Sequence, residues 1–153
     1  MVQSSSEICN CSALRQAARH VTRQYDEALA PVGLGLNQYS ILARLERLGP
    51  KTIQDLALNL VMDRSTLGHL LRPLETRGLV MLEVAQTDRR RRAVALTPGG
   101  RALIAEARPL WSAAQRRFED AFGADAALGL RNVLKQVVAV NFGRATTEAG
   151  PGA

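Results

Sequence analysis

The sequence predicts a mostly α fold with one small β-hairpin. Apolar residues recur at helical spacing along most of the chain. One stretch, residues 79–96, changes to a strand-like pattern around four consecutive arginines. Pro31, Gly49-Pro50, Gly78, Pro98 and Gly123 punctuate the helical segments. The 153 residues are 46% hydrophobic and 22% charged, which argues for one globular domain and against a disordered chain.

The elements follow in order. Leu14, Ala18, Val21, Tyr25 and Ala28 lie on one stripe, so residues 7–30 are expected to form a helix. Pro31, Gly33 and Gly35 break it. A second helix is expected over 38–48, with Asn37 as N-cap and Ile41, Leu42, Leu45 and Leu48 inward. Thr52 then opens a short helix, with Asp55 completing a variant capping box. Asp63 caps the next helix, residues 64–77, and Gly78 ends it in the C′ position. Two short helices joined by a tight turn form a helix-turn-helix.

Residues 79–84 and 93–96 are expected to pair as a hairpin, with AQTDRRRR at its tip. Thr97-Pro98 supplies N-cap and N1 of a long helix reaching about Phe122. A last helix covers 124–143, with Leu128, Leu130, Val133, Leu134, Val137 and Val138 apolar. Residues 1–6 and 144–153 are expected to be frayed tails.

Charge points to a polyanion. The net charge is +6, and eighteen of the twenty basic residues are Arg, whose planar donor fork suits phosphates and base edges. Eight arginines and only three acids lie between Arg64 and Arg101, so this one stretch holds nearly all the excess. No apolar run approaches the roughly 18 residues of a membrane helix. Glu7 stands where a signal peptide would be basic, and no apolar segment follows. A cytoplasmic location away from membranes is expected. Cys9 and Cys11 are too close together to staple the fold.

The stretch TIQDLALNLVMDRSTLGHLLRPLETRGLVMLEVAQTDRRRRAVALTPGG resembles the MarR family of bacterial transcription regulators. The shared pattern is a helix-turn-helix, then Leu74, Glu75, Gly78, Leu79 and Val80, then Asp88, Arg89 and Arg90, then Leu96, Thr97 and Gly100. The resemblance runs over about residues 8–143, although the outer segments match only in helix pattern. It implies a winged helix-turn-helix with N- and C-terminal dimerisation helices. Residues 1–153 would form a single domain. Within it, 7–30 and 98–143 would make the homodimer, and 37–97 the DNA-binding lobe. Such a dimer, most simply a repressor, would read a pseudo-palindrome in double-stranded DNA, with half-sites about one turn apart.

Several residues fit that role. Leu67, Leu70, Leu71 and Leu74 form the inner stripe of 64–77 and leave Arg64, Ser65, Thr66, Gly68, His69 and Arg72 on other faces. Helix N-termini attract phosphate, and Ser65 and Thr66 add hydroxyl donors. Arg64 and His69 reach either base edges or phosphates. Gly68 either permits close backbone approach to DNA or is simply tolerated, at ~1 kcal/mol against Ala. Pro73 lacks an N–H and clashes with the His69 carbonyl, so a kink or widened turn that re-aims Arg72 is expected. Alternation would place Arg89 to Arg92 two on each face. The resemblance implies that Arg90 enters a narrow minor groove, oriented by Asp88, while Arg89 and Arg91 touch phosphate. A solvated basic loop is the plainer alternative.

Family members respond to small molecules or oxidants. Arg15 and Arg19 on the first helix, Tyr39 on the second and Trp111 on the long helix are candidate ligand residues. Arg15 and Arg19 equally fit a solvated stripe with Arg23, where Glu27 would pair Arg23 at i,i+4. Trp111 equally fits the core. Cys11 resembles the reactive thiol of the hydroperoxide-sensing branch, which surrounds that thiol with three tyrosines. By spacing, the three positions here are Arg15, Tyr25 and Leu36, so only one is kept. Arg15 would favour the Cys11 thiolate, and Cys9 would be the resolving thiol across a dimer. Otherwise Cys11 is a small buried apolar residue.

No metal or cofactor is expected, because four ligands cannot be assembled around Cys9, Cys11 and His20. A thiol peroxidase using Cys11 lacks a neighbouring His to orient the nucleophile. A helical module that binds no nucleic acid leaves four arginines at one hairpin tip unexplained.

Overall fold

The structure, a computed structural model, describes residues 9–143. The two expected tails, and the first two residues of the helix expected from Glu7, lie outside the described residues. Packing divides the chain into two compact units that meet in sequence between Gln115 and Arg116.

The first unit opens with α1, Asn10–Leu29, followed by a single 3₁₀ turn, Ala30–Val32. Next come α2, Leu36–Leu48, β1, Lys51–Thr52, and α3, Ile53–Leu60. The helix α4, Arg64–Thr76, leads into β2, Val80–Val84, and β3, Arg92–Leu96. The long helix α5, Pro98–Phe122, begins in this unit. Leu29, Ile41, Leu42, Leu45, Leu56, Leu67, Leu74, Val94 and Ile104 are fully buried, so five helices and β3 share one core. Each such side chain contributes about 1.5–3 kcal/mol by leaving water.

The start of α2 differs from expectation. α2 begins at Leu36, with Gly35 and not Asn37 as N-cap. Gly35 has no side chain to cap with. Asp26 Oδ1, from α1, accepts from Leu36 N–H at 2.7 Å instead, and Gly35 N–H donates to Gln38 Oε1. At α3 the local signal holds. Thr52 Oγ1 accepts from Asp55 N–H at 3.1 Å and donates to Asp55 Oδ2 at 2.7 Å.

A third strand joins the hairpin. The sheet is antiparallel in the order β1-β3-β2, with Lys51 opposite Val94 and Thr52 opposite Ala93. The β2–β3 register runs from Val80 opposite Leu96 to Val84 opposite Arg92. Thr52 therefore ends a strand and caps a helix at once.

One knot of backbone holds the base of the hairpin. Gly78 N–H donates to Glu75 O and Leu79 N–H to Leu74 O, each at 2.9 Å, a Schellman ending that requires Gly78 at φ +69°. Thr97 N–H donates to Leu79 O, and Thr97 Oγ1 donates to Gly78 O at 2.6 Å. The same hydroxyl accepts from Gly100 N–H and caps α5. A Cβ at Gly100 would collide with the Leu79 carbonyl, so the approach of α5 to this turn needs glycine.

The expected stripe on α1 is only partly covered by the described residues. Tyr25 and Leu29 are buried, Val21 and Ala28 half-buried, and Leu14 and Ala18 exposed. No ion pair joins Arg23 to Glu27 among the described residues. Tyr25 Oη donates to Gln115 Oε1 at 2.6 Å, and Gln24 Nε2 to Ala114 O at 3.1 Å.

The second unit contains the end of α5 and α6, Ala124–Ala139. α6 ends four residues before the expected limit. Val140 is extended, and Asn141 Oδ1 accepts from Gly143 N–H, a local bond that competes with helix. Arg131 Nη1 pairs with Glu119 Oε1 at 3.0 Å. Ala127 is buried, while Leu128, Leu130, Val133, Leu134, Val137 and Val138 are all exposed.

Candidate nucleic-acid interface

The polar face of α4 follows from its cap and its stripe. Asp63 is extended, and its Oδ1 accepts from Thr66 N–H at 2.8 Å and from Ser65 Oγ at 2.9 Å. These bonds hold the Asp63 carboxyl below the usual carboxylate range. Leu67, Leu71 and Leu74 are buried and Leu70 half-buried, which fixes the rotation of the helix. Arg64, Ser65, Thr66, Gly68, His69 and Arg72 are all exposed. α4 continues through Pro73 to Thr76, so the proline does not end it. Thr76 Oγ1 bonds back to Arg72 O at 2.9 Å in the final turn.

The turn before α4 carries strain. Val61 sits at φ 54°, ψ 46°, a left-handed conformation that β-branched residues rarely adopt. Val61 N–H donates to Leu58 O and Met62 N–H to Ala57 O, so this residue takes a place usually given to glycine.

The hairpin tip departs from simple alternation. Asp88, Arg89, Arg90 and Arg91 form a turn, in which Arg91 N–H donates to Asp88 O at 3.0 Å and Ala85 N–H to Arg91 O at 2.9 Å. Only Arg92 lies on a strand, so the four arginines do not divide two and two. Asp88 Oδ1 accepts from the backbone N–H of Arg90 at 2.9 Å. It therefore orders the peptide that carries Arg90. All four arginines are exposed.

Two residues here escaped sequence reasoning. Arg91 Nη2 donates to Gln54 Oε1, in the first turn of α3, at 2.8 Å. Arg77, one of the eight clustered arginines, donates from Nη1 to Gly33 O at 2.7 Å and from Nη2 to Val32 O at 3.3 Å. It ties α4 to the 3₁₀ turn. Neither contact has a local signal, since each spans more than 35 residues.

The expected effector residues are brought together only in part. Tyr39 is buried, and its ring stacks on Trp111 with centroids 5.8 Å apart and planes 15° apart. Trp111 packs half-buried against the core, which favours its packing role. Burial pushes the Tyr39 hydroxyl up, and Arg108 opposes that rise. Arg108 itself pairs with Glu46. Arg15 and Arg19 are exposed on α1.

Cys11 is exposed, contrary to the expectation of a small buried residue, because no element among the described residues covers the first turns of α1. Cys9 is exposed too. It stands outside the helix as N-cap, and its Sγ accepts from Ser12 N–H at 3.5 Å.

No helix among the described residues is long and apolar enough to cross a membrane. Residues 34–91, from the start of α2 through the hairpin tip, match the model of the MarR family. The HTH-type transcriptional regulator Hpr of Exiguobacterium sibiricum is 34% identical over 86 residues, 56% of this chain and 46% of Hpr. The chain thus spans under half the length of that curated relative. Solved structures match over more of the chain. The transcriptional repressor CouR bound to a 23-mer DNA duplex is 28% identical, with TM-score 0.79, covering 90% of this chain and 97% of CouR. The M. tuberculosis transcriptional regulator MosR in complex with DNA is 31% identical, with TM-score 0.73, covering 86% of this chain and 98% of MosR. With this fold, the Leu74-to-Val80 turn, the Asp88-Arg89-Arg90 tip and the Thr97–Gly100 knot all in place, the chain belongs to the MarR family, whose members matched here are transcriptional regulators and not enzymes.

Proposed function

We propose that this chain is a homodimeric, DNA-binding transcriptional repressor acting in the cytoplasm. The observation that carries the reading is the exposed face of α4, Arg64, Ser65, Thr66, His69 and Arg72, set beside a turn of exposed arginines on a winged helix-turn-helix. α4 enters the major groove with its N-terminal turn toward DNA. Ser65 already donates to Asp63, so its oxygen is offered as an acceptor. Asp88 orders Arg90 for a narrow minor groove, and Arg89 and Arg91 meet phosphates. The DNA complexes of CouR and MosR support the partner.

A second copy covers the apolar rows left bare on α1 and α6. Leu14 on α1 and, separately on α6, Leu128, Leu130, Val133, Leu134, Val137 and Val138 are exposed, and apolar rows left bare in this way mark interaction surfaces. Residues 7–30 and 98–143 then dimerise, 37–97 forms the DNA lobe, and 1–153 acts as one domain. A small, aromatic effector with a carboxylate would be read by Arg15, Arg19, Tyr39 and Trp111. Its binding would shift the dimer between half-site separations. Trp111, the single Trp, would report binding through its emission.

The test is fluorescence anisotropy on the DNA upstream of the chain's own gene, with a scrambled duplex as control. At ~0.15 M salt, where surface charge is largely screened, nanomolar binding with a preference of ~10³ or more is expected. Weak binding, equal for both duplexes and lost with salt, would overturn the reading for that DNA.

The thiols favour a second, redox-sensing reading. Cys9 stands outside the helix while Cys11 lies in its first turn, and both are exposed. The pair is therefore not locked to opposite sides of one helix. A hydroperoxide would oxidise Cys11 to the sulfenic acid and leave as its alcohol. Cys9, from the same or the second copy, would then displace water to form a disulfide. One equivalent of peroxide consumed per pair fits a sensor, and sustained turnover with excess reductant fits a peroxidase.

A further inference from the structure

We infer that Gly68 sets how deeply α4 seats in DNA, and so acts as a specificity-determining residue. This rests on the DNA-binding reading. Glycine is a poor choice inside a helix, and proteins retain it there for a conformation or for a close approach. Neither reason operates within this chain. Gly68 has no left-handed φ, and a Cβ built on it meets nothing within 4 Å. Gly78 and Gly100 differ, because backbone angle explains the first and the Leu79 carbonyl the second.

Its surroundings say what the space is for. Arg64, Gly68 and Arg72 follow one another at i, i+4 and i+8, so they form a single row along the helix. All three are exposed. The two guanidinium-bearing positions are about 12 Å apart along the axis, on one face of the helix. A row of arginine, gap and arginine lets one wall of the groove approach the helix backbone between two cations. A methyl group at position 68 would hold that wall off by about a bond length. Gly129, the other helical glycine with open space at its Cβ, lies on α6 among the residues assigned to the second copy. Both unexplained glycines thus fall on surfaces proposed to meet another molecule.

The experiment uses the full chain and a duplex of about 30 bp, room for two half-sites a turn apart, selected by the wild-type protein from a random pool. Gly68→Ala and Gly68→Gln are compared with wild type on that duplex and on a scrambled one, with melting measured in parallel. Both variants are expected to melt higher, since each adds a better helix former in open space. Affinity for the selected duplex should nonetheless fall about tenfold in Gly68→Ala and further in Gly68→Gln, with under threefold change on the scrambled one. Unchanged affinity, or equal loss on both duplexes, would overturn the inference and leave the DNA reading standing. Failure of the wild type to enrich any duplex would remove the DNA reading, and the inference with it.

Discussion

Arg91 at the hairpin tip and Gln54 at the start of α3 are joined by a 2.8 Å hydrogen bond, Nη2 to Oε1. The wing is thereby tied to the helix-turn-helix at its far end as well as at its base. Removing each partner should act differently. Gln54→Ala frees the tip but keeps its charge, so affinity for the selected duplex should fall a few-fold with the salt slope unchanged. Arg91→Ala also removes a phosphate partner, and its salt slope should drop by about 1. A slope change in Gln54→Ala would show that the freed Arg91 alters its own phosphate contact, and that the bond to Gln54 does more than brace the tip.

Arg90→Ala tests the minor-groove assignment. Asp88 orders the Arg90 peptide, and the side chain is exposed. The variant should bind the selected duplex at least about tenfold more weakly, since inserted arginine reads groove shape and not merely charge. Sedimentation should show the oligomeric state unchanged, because Arg90 is an exposed turn residue outside the segments 7–30 and 98–143 proposed to dimerise. Wild-type affinity in the variant would return Arg90 to the role of a solvated loop residue.

Asp63 links α4 to pH. Bonds from Thr66 and Ser65 hold its carboxyl low in the folded state. Its contribution to stability is therefore complete above the unfolded carboxylate pKa of about 3.9 and lost as pH falls through the lower folded value. Asp63→Ala should lower the urea midpoint at neutral pH, and the gap to wild type should close in acid. Asp63→Asn keeps an N-cap acceptor and should stay nearer to wild type at neutral pH. A gap that persists undiminished in strong acid would remove the carboxylate from the account.

Val61→Gly should stabilise the protein. Valine is held at φ 54° and is 70% exposed, so glycine relieves strain and forfeits little burial. Left-handed strain of about 1–3 kcal/mol is partly offset by glycine's unfolded-state entropy of about 0.5–1 kcal/mol. A net gain of about 1 kcal/mol is expected in urea unfolding. A loss would mean that the Val61 side chain does something else in the turn.

Legibility followed the range of the interactions. α4 was readable because its signals are local: the Asp63 cap, the leucine stripe and Gly78 all lie within one short segment. The same holds for the Thr52–Asp55 box and for Thr97 before Pro98. β1 was not readable. It has two residues, Lys51 and Thr52, too few for a period, and exists because Val94 and Ala93 lie opposite. The cap of α2 was misplaced because Asp26 supplies it from ten residues away. Alternation misdescribed the arginine run because Asp88 folds it into a turn. The candidate face of α4 was legible as soon as its buried face was, since each leaves the other by subtraction. Arg77 and Gln54 were not, because their partners are distant in sequence.

The hairpin leaves and rejoins the core at the same knot, where Leu79 O receives Thr97 N–H and Thr97 Oγ1 reaches Gly78 O. Between these points, Val94 joins the core and β3 pairs with β1, while residues 86–90 form only the loop that β2 and β3 close, and doubling such a loop adds about 0.6 kcal/mol of closure entropy. Insertions, deletions or a different charge at the tip therefore leave the junction of α4 and α5 undisturbed. Within this architecture the length of the proposed reading tip can change while the frame that carries it stays the same.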